Sequence, residues 1–286
     1  MTVLGSRAEG VGGEKSAVRR LHPLMRAWLV TYAVTVLVFG LPLYLLSEST
    51  DRYFAWTILE PLTAAYLGAC YLPAFATAIL CARAEAWARG RSLAGAGLLA
   101  SIVLVVPTFV YLDQFHMDEV TGWVWLVAYV GVGPSLAAAL LVQVRAPGGD
   151  PPRRYRLPQF ARALLAAQGC LLLLTGAAIF LFPSDASSIW PWALPPLAAQ
   201  AIGSWLSAQG VFVLQAYVEN DWMRVRPAMA YLALFGALAI VALLRYPDTP
   251  QWGAPEAYIF VAVAAGLLAV GLFGLWAGAR SPADDS

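Results

Sequence analysis

Of 286 residues, 60% are hydrophobic and only 12% are charged, for a net charge of +1. That charged share is about half of what a soluble globular domain carries, which excludes that class, and so neutral a chain offers no basic surface for nucleic acid. The composition is that of an all-α integral membrane protein, whose solvent is the lipid bilayer.

Residues 1–23 hold Arg7, Lys15, Arg19 and Arg20 among glycines and serines. They lack the apolar core and cleavage site of a signal peptide, so they are expected to form a disordered cytoplasmic tail. A helix needs roughly 20 apolar residues to cross about 30 Å of hydrocarbon. Eight stretches qualify, at 24–46, 58–82, 92–112, 122–144, 160–182, 190–217, 227–245 and 256–278. Little chain is left over, so function must sit within the spans or their short loops.

Each of the first four spans contains a proline: Pro42, Pro73, Pro107 and Pro134. Proline removes a backbone donor and kinks a helix, and four kinked helices are expected to splay around a cavity. Two acids flank that region. Glu60 precedes Pro61 at the start of span 2, where the helix dipole favours an ionised carboxylate. Asp113 ends span 3, where the dipole disfavours negative charge, so it is the expected proton donor. Carboxyls pushed in opposite directions supply an acid and a stabilising anion, and His116 is placed to relay protons. Tyr66, Tyr71, Phe109, Tyr111 and Trp123 lie nearby and offer ring faces that stabilise a cation. The competing readings are a plain helix cap at Glu60, a water-exposed Asp113 and an ordinary aromatic belt.

Residues 145–159 (RAPGGDPPRRYRLPQ) read as a cytoplasmic linker. Beyond it the chain echoes itself at an offset of 158 − 23 = 135 residues. Pro23 meets Pro158, Pro61 meets Pro196, Gly68 meets Gly203 and Trp87 meets Trp222, while Arg89, Arg91, Tyr111 and Asp113 meet Arg224, Arg226, Tyr246 and Asp248. The expected architecture is two parallel four-helix repeats, 24–144 and 160–279, followed by a short tail at 280–286; an even number of spans restores the orientation. Ala64 and Gly68 match Ala199 and Gly203, a small-xxx-small spacing expected to bring spans 2 and 6 together near the repeat axis.

On span 6, Gln200, Ser204, Ser207 and Gln215 share an arc and read either as a polar path or as interhelical hydrogen bonds. Arg245 is expected to pair with Asp248, and Glu219, Asp221 and Arg224 to form solvated salt bridges. Cys70, Cys81 and Cys170 with His22 and His116 make no metal pattern, and neither a metal nor a cofactor is expected. All of the 18 lysines and arginines except Arg52 and Arg245 fall on one side of this arrangement, which places both termini in the cytoplasm. A single lysine and a single asparagine (Lys15, Asn220) suggest a high-G+C bacterial genome, hence a bacterial plasma membrane.

The stretches FAWTILEPLTAAYLGACYLPA (54–74), EAWARGR (85–91), YLDQFH (111–116), WPWALPPLAAQAIGSWL (190–206), ENDWMRVR (219–226) and RYPDTPQW (245–252) resemble a widespread family of uncharacterised eight-span proteins, mostly actinobacterial. Glu60 departs from that pattern, which has a second proline or a neutral residue there. More loosely, the chain is similar to bacterial membrane-bound indole sesquiterpene cyclases in size, span count, aromatic richness and the Glu60/Asp113 arrangement. That likeness implies a small helical enzyme that protonates a terpenoid with intramembrane acids. The expected activity is therefore a proton-initiated cyclase or isomerase acting on a lipid-soluble isoprenoid such as a prenylated indole. The alternatives are a small-molecule or lipid permease and a structural membrane subunit.

Overall fold

The computed structural model describes residues 17–280, which form no strand and contain eight helices long and apolar enough to cross a membrane. They are α1 (Pro23–Leu45), α2 (Pro61–Ala82), α3 (Ser92–Val110), α4 (Val120–Arg145), α5 (Gln159–Leu181), α6 (Pro196–Glu219), α7 (Trp222–Arg245) and α8 (Pro255–Ala279). Their starts follow local chemistry. Proline opens α1, α2, α6 and α8, at the position where its missing N–H costs nothing. Glu60 and Asp221 accept from the backbone N–H of Leu62 and Met223 at 3.4 and 3.0 Å. The Asp221 cap moves the start of α7 to Trp222 rather than 227. Pro195 and Pro196 in succession hold the start of α6 back to Pro196, leaving 190–195 as a loop.

Burial orders the helices. α2 and α6 are the most buried helices, while α4, α5 and α8 lie at the periphery, with only 22%, 28% and 22% of their most apolar stretch buried. α6 has the lowest mean hydropathy of the eight, 1.3 against 2.4 for α8. The least apolar helix can be central because protein rather than lipid surrounds it. The outward face of α1 carries exposed Val30, Val34 and Val38, as a lipid-facing stripe should.

Without a hydrophobic drive between helices in lipid, close association depends on small residues. A Cβ on Gly68 would lie 2.6 Å from the Tyr44 backbone nitrogen, and one on Gly203 2.7 Å from the Gly176 oxygen. These glycines therefore seat α2 on α1 and α6 on α5, a correction to the expectation that they bring spans 2 and 6 together. Both are buried in protein, but the helix that approaches each is its sequence neighbour. Between the halves, α2 packs on α7 and α3 on α6.

The tail expectation is also revised. Residues 1–16 and 281–286 lie outside the described residues, but 17–22 are bonded into the structure. Arg19 N–H donates to the Gly149 carbonyl and Leu21 N–H to the Glu85 carbonyl, both at 2.8 Å. The buried Gln143 amide brackets the start of α1, accepting from His22 N at 2.7 Å and donating to the Arg20 carbonyl at 3.0 Å.

Candidate functional site

The sequence-predicted residues do not assemble into one site. Asp113 sits exposed in a 3-10 turn after α3. Glu60 caps α2 and accepts from the Thr249 hydroxyl at 3.1 Å, which ties it to the α7–α8 loop rather than to Asp113. His116 spends both ring nitrogens on the loop before α2, one facing the Thr57 hydroxyl and the other the Phe54 carbonyl, each at 3.1 Å. It joins two loops. Phe109 and Trp123 are each 55% exposed and Tyr111 is half-buried. Nearby, burial and the Tyr246 and Asp51 charges push the Tyr53 phenol up to about 12, so it stays a donor to the Pro42 and Leu46 carbonyls.

Tyr71 and Tyr66 are buried in two different aromatic clusters. Tyr71 shares a hydroxyl–hydroxyl hydrogen bond with Tyr129 and packs on Trp205 and Phe39, in a group that continues to Trp125, Trp56 and Phe54. This cluster fills the interior of the proline-bearing half. Against α1 and α3 the structure shows a void of only about 20 Å³, beside Tyr32, Gly97 and Ala100.

Tyr66 belongs to the second cluster, and there the interior is not full. Its ring meets Trp190, Phe235 and Phe260 at centroid distances of 5.3, 5.8 and 5.4 Å, and Trp190 meets Phe260 at 5.3 Å. These rings wall a cavity of about 120 Å³ among α2, α5, α6, α7, α8 and the 189–191 loop. The remaining lining is aliphatic apart from Thr175 and Glu256. Trp190 is 5% exposed, and its indole Nε1–H meets no acceptor among the described residues. The neighbouring Trp192 by contrast donates to the Thr63 hydroxyl at 2.8 Å, pinning the loop onto α2. The cavity is open on one side. Leu171 of α5 and Ile259 of α8 line it yet are 43% and 58% exposed, and α5 and α8 scarcely touch.

Ala239 and Ala264 line this cavity, and 135 positions earlier (239 − 104 and 264 − 129) stand Leu104 and Tyr129, both buried in the filled half. At the same offset other lining residues differ the opposite way: Trp190 and Phe235 stand where the first half has Ala55 and Ala100. The expectation of a cavity in the first half is corrected in place: the larger void lies against α5, α6, α7 and α8, and the one beside Tyr32, Gly97 and Ala100 is only about 20 Å³.

Sequence reasoning also misread the arginine-rich end. Glu219 and Arg224 are 2% and 4% exposed, not solvated. Glu219 receives Arg91 through two parallel contacts at 2.5 and 2.9 Å and Arg224 at 3.0 Å, while Arg91 also reaches Asp150 at 2.6 Å. The hydrogen bond to Glu219 is the main reason that Arg91 holds its proton even more firmly than usual. Asp221 accepts from the linker N–H groups of Arg154 and Tyr155 at 2.9 and 3.0 Å. The signal lay in the linker, whose Asp150 and Pro151 complete this network some 70 residues from α7.

At the other end Arg245 reaches across to α1, donating to the carbonyls of Tyr44 and Leu45 and to the Ser47 hydroxyl, and this is where its donors go rather than to Asp248. The polar arc on α6 is divided too: Gln200 bonds the Phe180 carbonyl on α5, whereas Gln215 bonds the Arg91 carbonyl beside α3. No family model, curated protein or solved structure matches this chain.

Proposed function

We propose that this is a membrane-embedded cyclase or isomerase that takes the end of a lipid-soluble isoprenoid into the aromatic cavity, with Glu256 as its acid and base. The observation that carries the reading is a void walled by Tyr66, Trp190, Phe235 and Phe260 and lined by a single carboxyl group. A cavity of about 150 Å³ accommodates a benzene-sized group. The space here suits one prenyl unit, with the rest of the chain lying between α5 and α8.

Chemically, protonated Glu256 gives its proton to a terminal double bond, forming a C–H bond and a tertiary carbocation. Ring faces stabilise that cation as a second double bond closes on it, or as the charge shifts along the chain. Loss of an adjacent proton to the Glu256 carboxylate then yields an isomer of the substrate and restores the acid. No oxidant or co-substrate enters the balance.

Membranes carrying the wild type should convert a linear isoprenoid to an isomeric product. Glu256→Gln should lower turnover by at least about 100-fold, the scale of a positioned acid–base group. Asp113→Asn should stay within a few-fold of wild type. Loss of turnover in Asp113→Asn alone would return the chemistry to the α3–α4 loop.

The same reading includes two parallel four-helix repeats with both termini on the arginine-rich, cytoplasmic side of a bacterial plasma membrane. Its support is that α1 lies along α2 as α5 lies along α6, and that α2 meets α7 as α6 meets α3. Single cysteines at the exposed positions Asp51, Asp118, Ser184 and Asp248 should react with an impermeant thiol reagent in intact cells, whereas cysteines at Arg83 and Arg156 should not. The reverse pattern would invert the topology.

A further inference from the structure

The arginine-rich end of the molecule holds a recess that the proposed chemistry does not use. Its volume is about 580 Å³, and its wall is drawn from the segment before α1, the turn between α2 and α3, the linker and the start of α7. Three pairs of positions at the 135-residue offset line it together: Arg20 with Tyr155, Ala86 with Asp221 and Arg89 with Arg224 (155 − 20 = 221 − 86 = 224 − 89). The recess therefore sits on the seam between the two halves.

Its charge is unbalanced. Arg20, Arg89, Arg154 and Arg224 line it against Glu85 and Asp221, a formal excess of 4 − 2 = +2. Two of these six groups are already committed. Asp221 accepts from the backbone N–H groups of Arg154, Tyr155 and Met223, and Arg224 donates to Glu219 and the Pro151 carbonyl. Arg20 and Arg89 make no side-chain hydrogen bond or ion pair among the described residues, and Arg89 is half-buried. A cation held partly out of water without a partner favours an anion brought to it. Guanidinium forks match phosphate oxygens two at a time, and a phosphate monoester carries about −1.5 to −2 at neutral pH, which meets the excess. We propose that this recess is a binding site for a phosphate monoester, held by Arg89 and Arg20 across the seam.

Such a group can arrive on a lipid head or on a soluble compound, and the test separates the two. The full chain is placed in phosphatidylcholine nanodiscs, with phosphatidic acid mixed into the bilayer in one arm and inorganic phosphate added at fixed ionic strength in the other. At least one probe should bind and raise the melting temperature. A response to phosphatidic acid alone assigns the site to a lipid head group; a response to inorganic phosphate assigns it to a soluble phosphate. Both outcomes support the site. Arg89→Gln and Arg20→Gln should each weaken the responding probe by about tenfold, the scale of one charge-assisted hydrogen bond. Glu85→Gln should tighten it, and Arg83→Gln, an exposed arginine outside the recess, should change little. Melting without a probe reports whether each variant folds. No response to either probe would overturn the proposal. So would phosphatidylglycerol acting as well as phosphatidic acid, or equal weakening by Arg83→Gln, which would mark general attraction to a basic surface.

Discussion

Glu219→Leu should destabilise the folded protein by about 3–5 kcal/mol, the cost of removing one partner from a buried ion pair. The carboxylate is the hub of a closed set. Arg91 and Arg224 balance Glu219 and Asp150 (2 − 2 = 0), and the substitution leaves +1 around an Arg224 side chain that is only 5% exposed. Asp150 cannot compensate: it is 36% exposed and sits 3.7 Å from Arg224. Thermal or SDS unfolding in detergent reads the loss, and the double variant Glu219→Leu/Arg91→Leu should recover part of it by removing one of the stranded cations. A loss below about 1 kcal/mol would place these groups with solvated surface pairs.

Ala264→Leu should abolish ligand binding while leaving the fold intact, with affinity for an isoprenoid probe reduced at least about tenfold. The added carbons enter a void of about 120 Å³, so they displace the occupant instead of straining a full core. The melting temperature should hold or rise, because filling a cavity recovers apolar contacts. That combination separates this variant from ordinary damage, which would lower both. Equilibrium binding and a melting curve on one preparation decide the matter. Unchanged affinity would show that the occupant does not use the space beside Ala264.

The eight spans were legible because hydrocarbon imposes a simple length and composition rule, and no charge interrupts these helices at depth. The boundaries that moved, at α6 and α7, moved for local reasons already present in Pro195, Pro196 and Asp221. What stayed hidden depends on partners distant in sequence. Nothing around Ala239 or Ala264 announces a cavity, since alanine is common in every span. Glu219 and Arg224 looked like solvent-facing charges because their local stretch, ENDWMRVR, is polar. The linker that buries them contributes Asp150 and Pro151 from well outside any local window. Proline misled in the opposite way: the spans that carry Pro42, Pro73, Pro107 and Pro134 pack around the rings of Tyr71, Trp125 and Tyr129.

The halves are joined across both faces of the membrane, and that bears on the permease alternative. On one face Arg91 of the first half holds Glu219 of the second; on the other, Arg245 of the second half holds the end of α1, Thr249 holds Glu60 and Trp192 holds Thr63. A rocker must open one face while it closes the other. Tilting these halves in either direction would break a set of charge-assisted bonds, each worth about 1.5–3 kcal/mol. Under the proposed function the ligand therefore enters sideways, from the bilayer into a fixed frame tied at both ends.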